Sequence, residues 1–164
     1  MIKHIVELTI PNAGAEQFYG FMINPGDEQY NRWWPEEHLR FHITKHGDKS
    51  HLGDEVYVDE YLGARRRLSF RAVVTAAKCP DKIIWQMKAA GVKLPALVIL
   101  ELRDSPDGLL LRHELRLGFS GTAGKLTDPF IKLYFNKAYR TDLERHCRIE
   151  WFKLAELLSG QAGH

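Results

Sequence analysis

The spacing of apolar residues changes period several times along the chain, and each change marks an element. From His4 to Ile10 every second residue is apolar, with Val6, Leu8 and Ile10 on one face, which predicts a half-buried strand. Pro11-Asn12 ends it, a short helix is predicted from Ala15 to Ile23, and Asn24-Pro25-Gly26 stops that helix. Asp27 to Glu37 reads as a second short helix or turn carrying Tyr30, Trp33 and Trp34, limited by Pro35. From Leu39 the period is two. Leu39, Phe41 and Ile43 alternate with His38, Arg40, His42 and Thr44, and Val56 and Val58 resume the alternation after a loop with Gly47-Asp48 and Gly53-Asp54. Leu68, Phe70, Ala72 and Val74 form the next face. Pro80-Asp81 supplies a turn, Ile83, Trp85 and Met87 a strand, and Leu97 to Leu102 another. Ser105-Pro106-Asp107-Gly108 is a strong hairpin signal. The strand after it sets Leu109, Leu111, His113, Leu115, Leu117 and Phe119 opposite Arg112, Glu114 and Arg116.

The period then becomes helical. Asp128-Pro129 is expected to open one long amphipathic helix, on which Phe135, Tyr139, Leu143, Leu154 and Leu157 share a side at roughly 100° per residue. His146 and Glu150 project with them, one turn apart. Burying either without a partner is costly. The pair is therefore either a satisfied structural contact or part of a cavity wall.

Strand, two short helices, about six more strands and a terminal helix predict an α+β fold. Hairpin-type turns imply an antiparallel sheet, and the terminal helix is the element long enough to cover its apolar face. A chain of 164 residues with ordinary apolar and charged content fits one domain, 1-164. The net charge of +2 supplies no field to recruit nucleic acid or an anionic membrane, and the Arg65-Arg66-Arg67 run reads as a solvated strand end. Cys79 and Cys147 lie in no metal or redox spacing, and the N-terminus lacks a signal-peptide pattern, so a cytoplasmic location is expected. No apolar run is long enough to span a bilayer.

Several segments carry a resemblance: Tyr30-Asn31-Arg32-Trp33-Trp34-Pro35 after the paired helices, Gly63 to Arg71, Lys78-Cys79-Pro80-Asp81-Lys82-Ile83-Ile84-Trp85, and the long C-terminal helix. With this element order the chain resembles the START-like (SRPBCC) superfamily, and within it the polyketide cyclase/dehydrase-like proteins, which share the helix-grip fold of the plant pollen allergens. The resemblance covers nearly the whole chain and rests on element order and diffuse sequence character. It implies a curved antiparallel sheet of about seven strands around the terminal helix, with a cavity between them for apolar or amphipathic small molecules.

If the strand bearing His113 faces that helix, then His113, His146 and Glu150 converge on one cavity. Tyr139, Leu143, Trp34, Trp85, Phe70 and Leu115 are the further expected ligand-binding residues. A carboxylate beside a histidine can fix its tautomer and raise its basicity, as general acid or base catalysis needs. The same groups can orient the polar head of an apolar ligand. Three readings follow: a binder of a small hydrophobic or amphipathic molecule, a cyclase or dehydratase-like enzyme using a cavity histidine, and a protein interaction module with a vestigial cavity. No cofactor and no metal are expected, and a homodimer is compatible with the pattern. His38 and His42, four apart, resemble a metal pair only if helical. In a strand they lie on one side but about two pleat repeats apart, on a rim-lining or exposed face. His146 and Cys147, as helix neighbours, point in different directions and make a poor Cys/His pair.

Overall fold

The computed structural model describes residues 1–63, 66–119 and 121–161, with the backbone alone at 123–127, 130 and 161. Strand β1 (Ile2–Ile10) is followed by helices α1 (Ala15–Ile23) and α2 (Asp27–Trp33). Six strands follow: β2 (His38–Lys45), β3 (Glu55–Leu62), β4 (Arg66–Lys78), β5 (Lys82–Ala89), β6 (Val92–Ser105) and β7 (Gly108–Leu117). Helices α3 (Gly121–Tyr134) and α4 (Lys137–Gln161) close the chain.

The seven strands form one antiparallel sheet in the order β1-β7-β6-β5-β4-β3-β2. Consecutive strands pair through turns, while α1 and α2 carry the chain from one edge of the sheet to the other. Register shifts in β2, β4 and β5 mark bulges, which bend the strands and curve the sheet. Val6, Leu8, Ile10, Val56, Val58, Ala72, Val74, Ile83, Leu109 and Leu111 bury one face as alternation requires. Helix α4 packs across that face against β1, β3, α1 and α2. Among the described residues no helix is long and apolar enough to cross a membrane.

Four sequence expectations need correction. The single terminal helix is two helices, with Pro129 inside α3 and a break at Phe135-Asn136. The Asn136 side-chain oxygen accepts the Tyr139 backbone N–H at 3.0 Å, an N-cap bond that starts α4 afresh. The strand expected from Leu97 begins at Val92. Ala90 and Gly91 both hold positive φ (47° and 81°), as a tight two-residue hairpin demands, so β5 and β6 run to its edge. Phe119 is 48% exposed, because β7 stops at Leu117 and Gly118 turns the backbone at φ 90°.

The fourth correction shapes the site. Leu39 does not share the inner face with Phe41. His38 pairs with Glu60 and Arg40 with Asp59, so β2 advances two residues against one on β3. That bulge brings His38 onto the inner face three positions before Phe41, and both are buried, His38 completely. His42 stays outside, hydrogen-bonded to Asp27 at 2.8 Å. The expected rim-lining or exposed face therefore holds for His42 and fails for His38, and the two histidines share no face. Of the arginine run, Arg65 lies outside the described residues, Arg67 clasps Asp59 through two hydrogen bonds, and Arg66 sits over the Tyr139 ring.

Candidate functional site

One face of α4 supplies the site. Leu143, His146, Cys147, Glu150, Trp151 and Leu154 follow one another at intervals of three and four and are all at most 8% exposed. The opposite face is polar and carries the Arg145–Asp142 and Arg148–Glu144 pairs. Burying an imidazole and a carboxylate inside the apolar stripe requires partners from the sheet and α2, and the fold provides them.

Between α4 and the concave side of the sheet lies a cavity of about 130 Å³. Its sheet walls include Val56, Val58, Phe70, Ala72, Trp85, Val98 and Leu115, and its helix walls Tyr30, Trp33, Tyr139, Leu143 and Trp151. A dry apolar cavity of roughly 150 Å³ is large enough to bind benzene. The space therefore suits a guest of about one ring. Charged or titratable groups on its surface are Glu60, His113 and Glu150, with the phenols of Tyr30 and Tyr139. Donor atoms of His113, Cys147 and Glu150 lie within 4.8 Å of one another.

Of the residues singled out in the sequence, His113, Glu150, Tyr139, Leu143, Trp85, Phe70 and Leu115 line this cavity. His146 and Trp34 stand behind it, stacked on each other with centroids 4.9 Å apart and planes 17° apart. The Lys153 ammonium sits 5.3 Å from the Trp34 ring centroid on the solvent side. Trp33 is the buried member of the tryptophan pair, and its indole N–H donates to the Glu150 backbone carbonyl at 2.6 Å.

Behind the cavity the polar groups form a cluster. Glu150 Oε2 lies 3.0 Å from His146 Nε2 and 3.7 Å from His38 Nε2. Neither contact has hydrogen-bond alignment. The Tyr30 hydroxyl donates a very short hydrogen bond to Glu60, and the Tyr30 ring stacks flat on His38 at 4.1 Å. Glu37 accepts the Gly63 backbone N–H at 2.9 Å and approaches His146 Nδ1 to 4.0 Å.

Proton affinities follow from this crowding. Burial disfavours the His146 cation, but the Glu150, Glu60 and Glu37 carboxylates outweigh it and push the imidazole up to about 9. Burial would raise Glu150, yet His146 and His38 hold it well below the usual carboxylate range. Glu60 moves the other way, raised by burial and then by the charge of Glu150. Burial lowers His113 despite Glu150, and raises the Cys147 thiol and the Tyr30 phenol well above their ordinary values. His113 Nδ1 contacts Cys147 Sγ at 3.0 Å. Cys147 thus has a histidine partner, on β7 rather than beside it in α4. A thiol held neutral is a poor nucleophile.

Two members of the cluster had no place in the sequence reading of the site. Glu60 was detectable, because extending the Val56-Val58 alternation by one step puts Glu60 on the inner face. Regular alternation puts His38 on a rim-lining or exposed strand face, and only the pairing with β3 reveals the bulge that turns it inward.

No protein-family model matches the chain, and no curated protein matches it. Solved structures do match over nearly its whole length. Ara h 8.0201 aligns with a TM-score of 0.64 at 11% identity, covering 97% of this chain and 98% of its own. The KanY protein aligns with a TM-score of 0.61 at 12% identity, covering 96% and 97%. The Aha1 dimer from Colwellia psychrerythraea gives 0.58 at 12% identity, covering 96% of each chain. At such identities the likeness shows the fold alone, a helix grip in which a curved antiparallel sheet holds the long C-terminal helix.

Proposed function

We propose that this chain binds a small, largely apolar molecule in the cavity between the sheet and α4, with the polar groups around Glu150 orienting it. The observation that carries this reading is the cavity itself. Its walls are apolar apart from Glu60, His113, Glu150 and two phenols, a composition that admits a ring while offering a few fixed hydrogen-bond partners. Three tryptophans, Trp33, Trp85 and Trp151, border the space, so indole fluorescence reports its occupancy. Benzene and phenol are the probes of choice. Both are expected to change that fluorescence saturably, phenol at lower concentration because its hydroxyl gains a partner inside. Leu115→Phe, which adds bulk to the cavity wall and replaces no polar residue, is expected to abolish the response. A response that is absent in the parent, or unchanged in Leu115→Phe, refutes the reading.

A second reading, an enzyme of the cyclase or dehydratase kind, is favoured by the opening of both His113 and Glu150 onto the same cavity. A guest carbonyl or hydroxyl held there lies against groups able to move a proton. In that case His113→Gln retains the guest and loses turnover, whereas in a binder it alters affinity alone. The interaction-module reading expects a filled interior, and the cavity weighs against it. The dimeric state of the Colwellia protein makes a homodimer of this chain a proposal, with exposed Leu133 and Tyr134 of α3 as its apolar contacts. Light scattering on a sizing column tests it.

A further inference from the structure

We propose that His38, Glu60 and His146 bind one divalent transition-metal cation, with zinc the best chemical match, at the polar end of the cavity. One donor atom from each lies within 4.8 Å of the others, although the three residues come from β2, β3 and α4. Two imidazoles and a carboxylate on separate elements are a donor set suited to zinc.

The histidines supply the independent observation. His38 is fully buried and His146 is 4% exposed, and none of their four ring nitrogens has an aligned hydrogen-bond partner. Buried polar atoms are nearly always satisfied, and here the Glu150 carboxylate is near both Nε2 atoms while no ring nitrogen has an aligned hydrogen bond, an arrangement that a cation would complete. The aromatic neighbours offer ring faces and edges. His38 is walled by the flat face of Tyr30 and the edge of Trp33, and His146 by the face of Trp34. Glu150 Oε2 lies 3.0 Å from His146 Nε2 and 3.7 Å from His38 Nε2, a carboxylate that a cation would join.

The coordination geometry is attainable. Zinc at about 2.0–2.2 Å from each donor in a tetrahedron sets donors roughly 3.4 Å apart. With donor atoms within 4.8 Å of one another, the triad would contract by up to about 1.4 Å on binding the ion. Glu150 is placed to take the fourth position. Glu60 and Glu150 also line the cavity, so the ion would face an oxygen or nitrogen donor on a guest. The neighbouring trio His113, Cys147 and Glu150 is a weaker candidate, because His113 Nδ1 and Cys147 Sγ already satisfy each other.

The test uses the full chain freed of metal with a chelator, then titrated with Zn²⁺ by calorimetry and with Co²⁺ by visible absorption. The expected result is one ion per chain, a cobalt band in the tetrahedral range, and a rise in melting temperature with Zn²⁺. His38→Gln and Glu60→Gln should each weaken binding by about tenfold or more. His42→Gln and Cys147→Ser should leave it unchanged. Glu60→Gln keeps an acceptor for the Tyr30 hydroxyl, so it decides the matter even if His38→Gln fails to fold. Absence of saturable binding in the parent overturns the proposal. So does binding that survives Glu60→Gln, or binding lost in Cys147→Ser. None of these outcomes bears on the benzene response, which reads the apolar part of the cavity.

Discussion

Glu114 and Glu150 are both buried carboxylates, and they are held in opposite ways. Glu114 lies on the outer face of β7, fully covered yet shallow, between the Arg112 guanidinium at 2.6 Å and that of Arg116. Both arginines are about a third exposed, and Arg112 also reaches Glu7 and Glu101. Glu150 sits on the inner face, where its nearest partners are two imidazoles and where the carboxyl groups of Glu60 and Glu37 belong to the same cluster. Permanent cations with access to water make the first site a self-sufficient clasp. Titratable partners and surplus carboxylates make the second a site whose balance depends on what else is bound. Charge that is fully compensated on a surface strand reads as structure; charge left in surplus beside a cavity reads as function.

The largest expected effect separates the two. His146→Ala, measured by denaturant unfolding with chelator present, should cost about 3–5 kcal/mol, because it leaves the Glu150 carboxylate buried beside Glu60 with only His38 nearby. The double variant His146→Leu/Glu150→Leu should recover most of that loss, since apolar replacement of a buried pair is often neutral. A double variant as unstable as the single one would show that the cost lies in packing rather than in charge. On the outer face, Glu114→Ala should cost about 1–2 kcal/mol, since the arginines it strands can turn to solvent. An equal cost at the two sites would erase the distinction drawn here.

Acid separates them again. The Arg116 hydrogen bond, helped by Arg112, outweighs burial and holds Glu114 below its ordinary value of 4.5. A carboxylate lowered on folding contributes fully above the unfolded value and loses that contribution as pH falls through the folded one. Melting temperature should therefore drop below about pH 4.5, and Glu114→Gln should flatten that limb of the curve while leaving its neutral plateau lower. A limb of unchanged steepness would assign the acid sensitivity to other carboxylates.

The fold was legible in the sequence because antiparallel strands repeat every two residues, and that period survives whatever the strands pair with. The inward faces of β4, β5 and β7 and the helical stripe of α4 all follow from it. The site was legible where it sits on such regular elements: His113 on β7 and Glu150 on α4 reach the cavity as the periods imply. It was not legible where position depends on a partner strand. The bulge that turns His38 inward is a property of the β2–β3 pairing. The break before α4 shows the other limit. The apolar stripe from Phe135 to Tyr139 continues across the Asn136 cap, and the two rings still meet at 5.1 Å. The cavity's size is illegible for a simpler reason: its walls come from side chains spread from Met22 to Trp151.

The smallest expected effect tests the bulge directly. His38 and His42 share a residue type and a spacing that would put them on one side of a regular strand, yet only His38 is buried. The His42 ring is 36% exposed and its partner Asp27 48% exposed, so their ion pair is screened by water. His42→Gln should change stability by no more than about 0.5 kcal/mol, as exposed pairs generally do. The Asp27 carboxylate would still accept the Phe41 backbone N–H at 2.9 Å, the bond that ties the start of α2 to β2. Asp27→Ala removes that bond as well and should cost more than His42→Gln. If His42→Gln proved as damaging as a change at His38, the two histidines would share an environment, and the β2 register that turns one inward and leaves the other in water would be wrong.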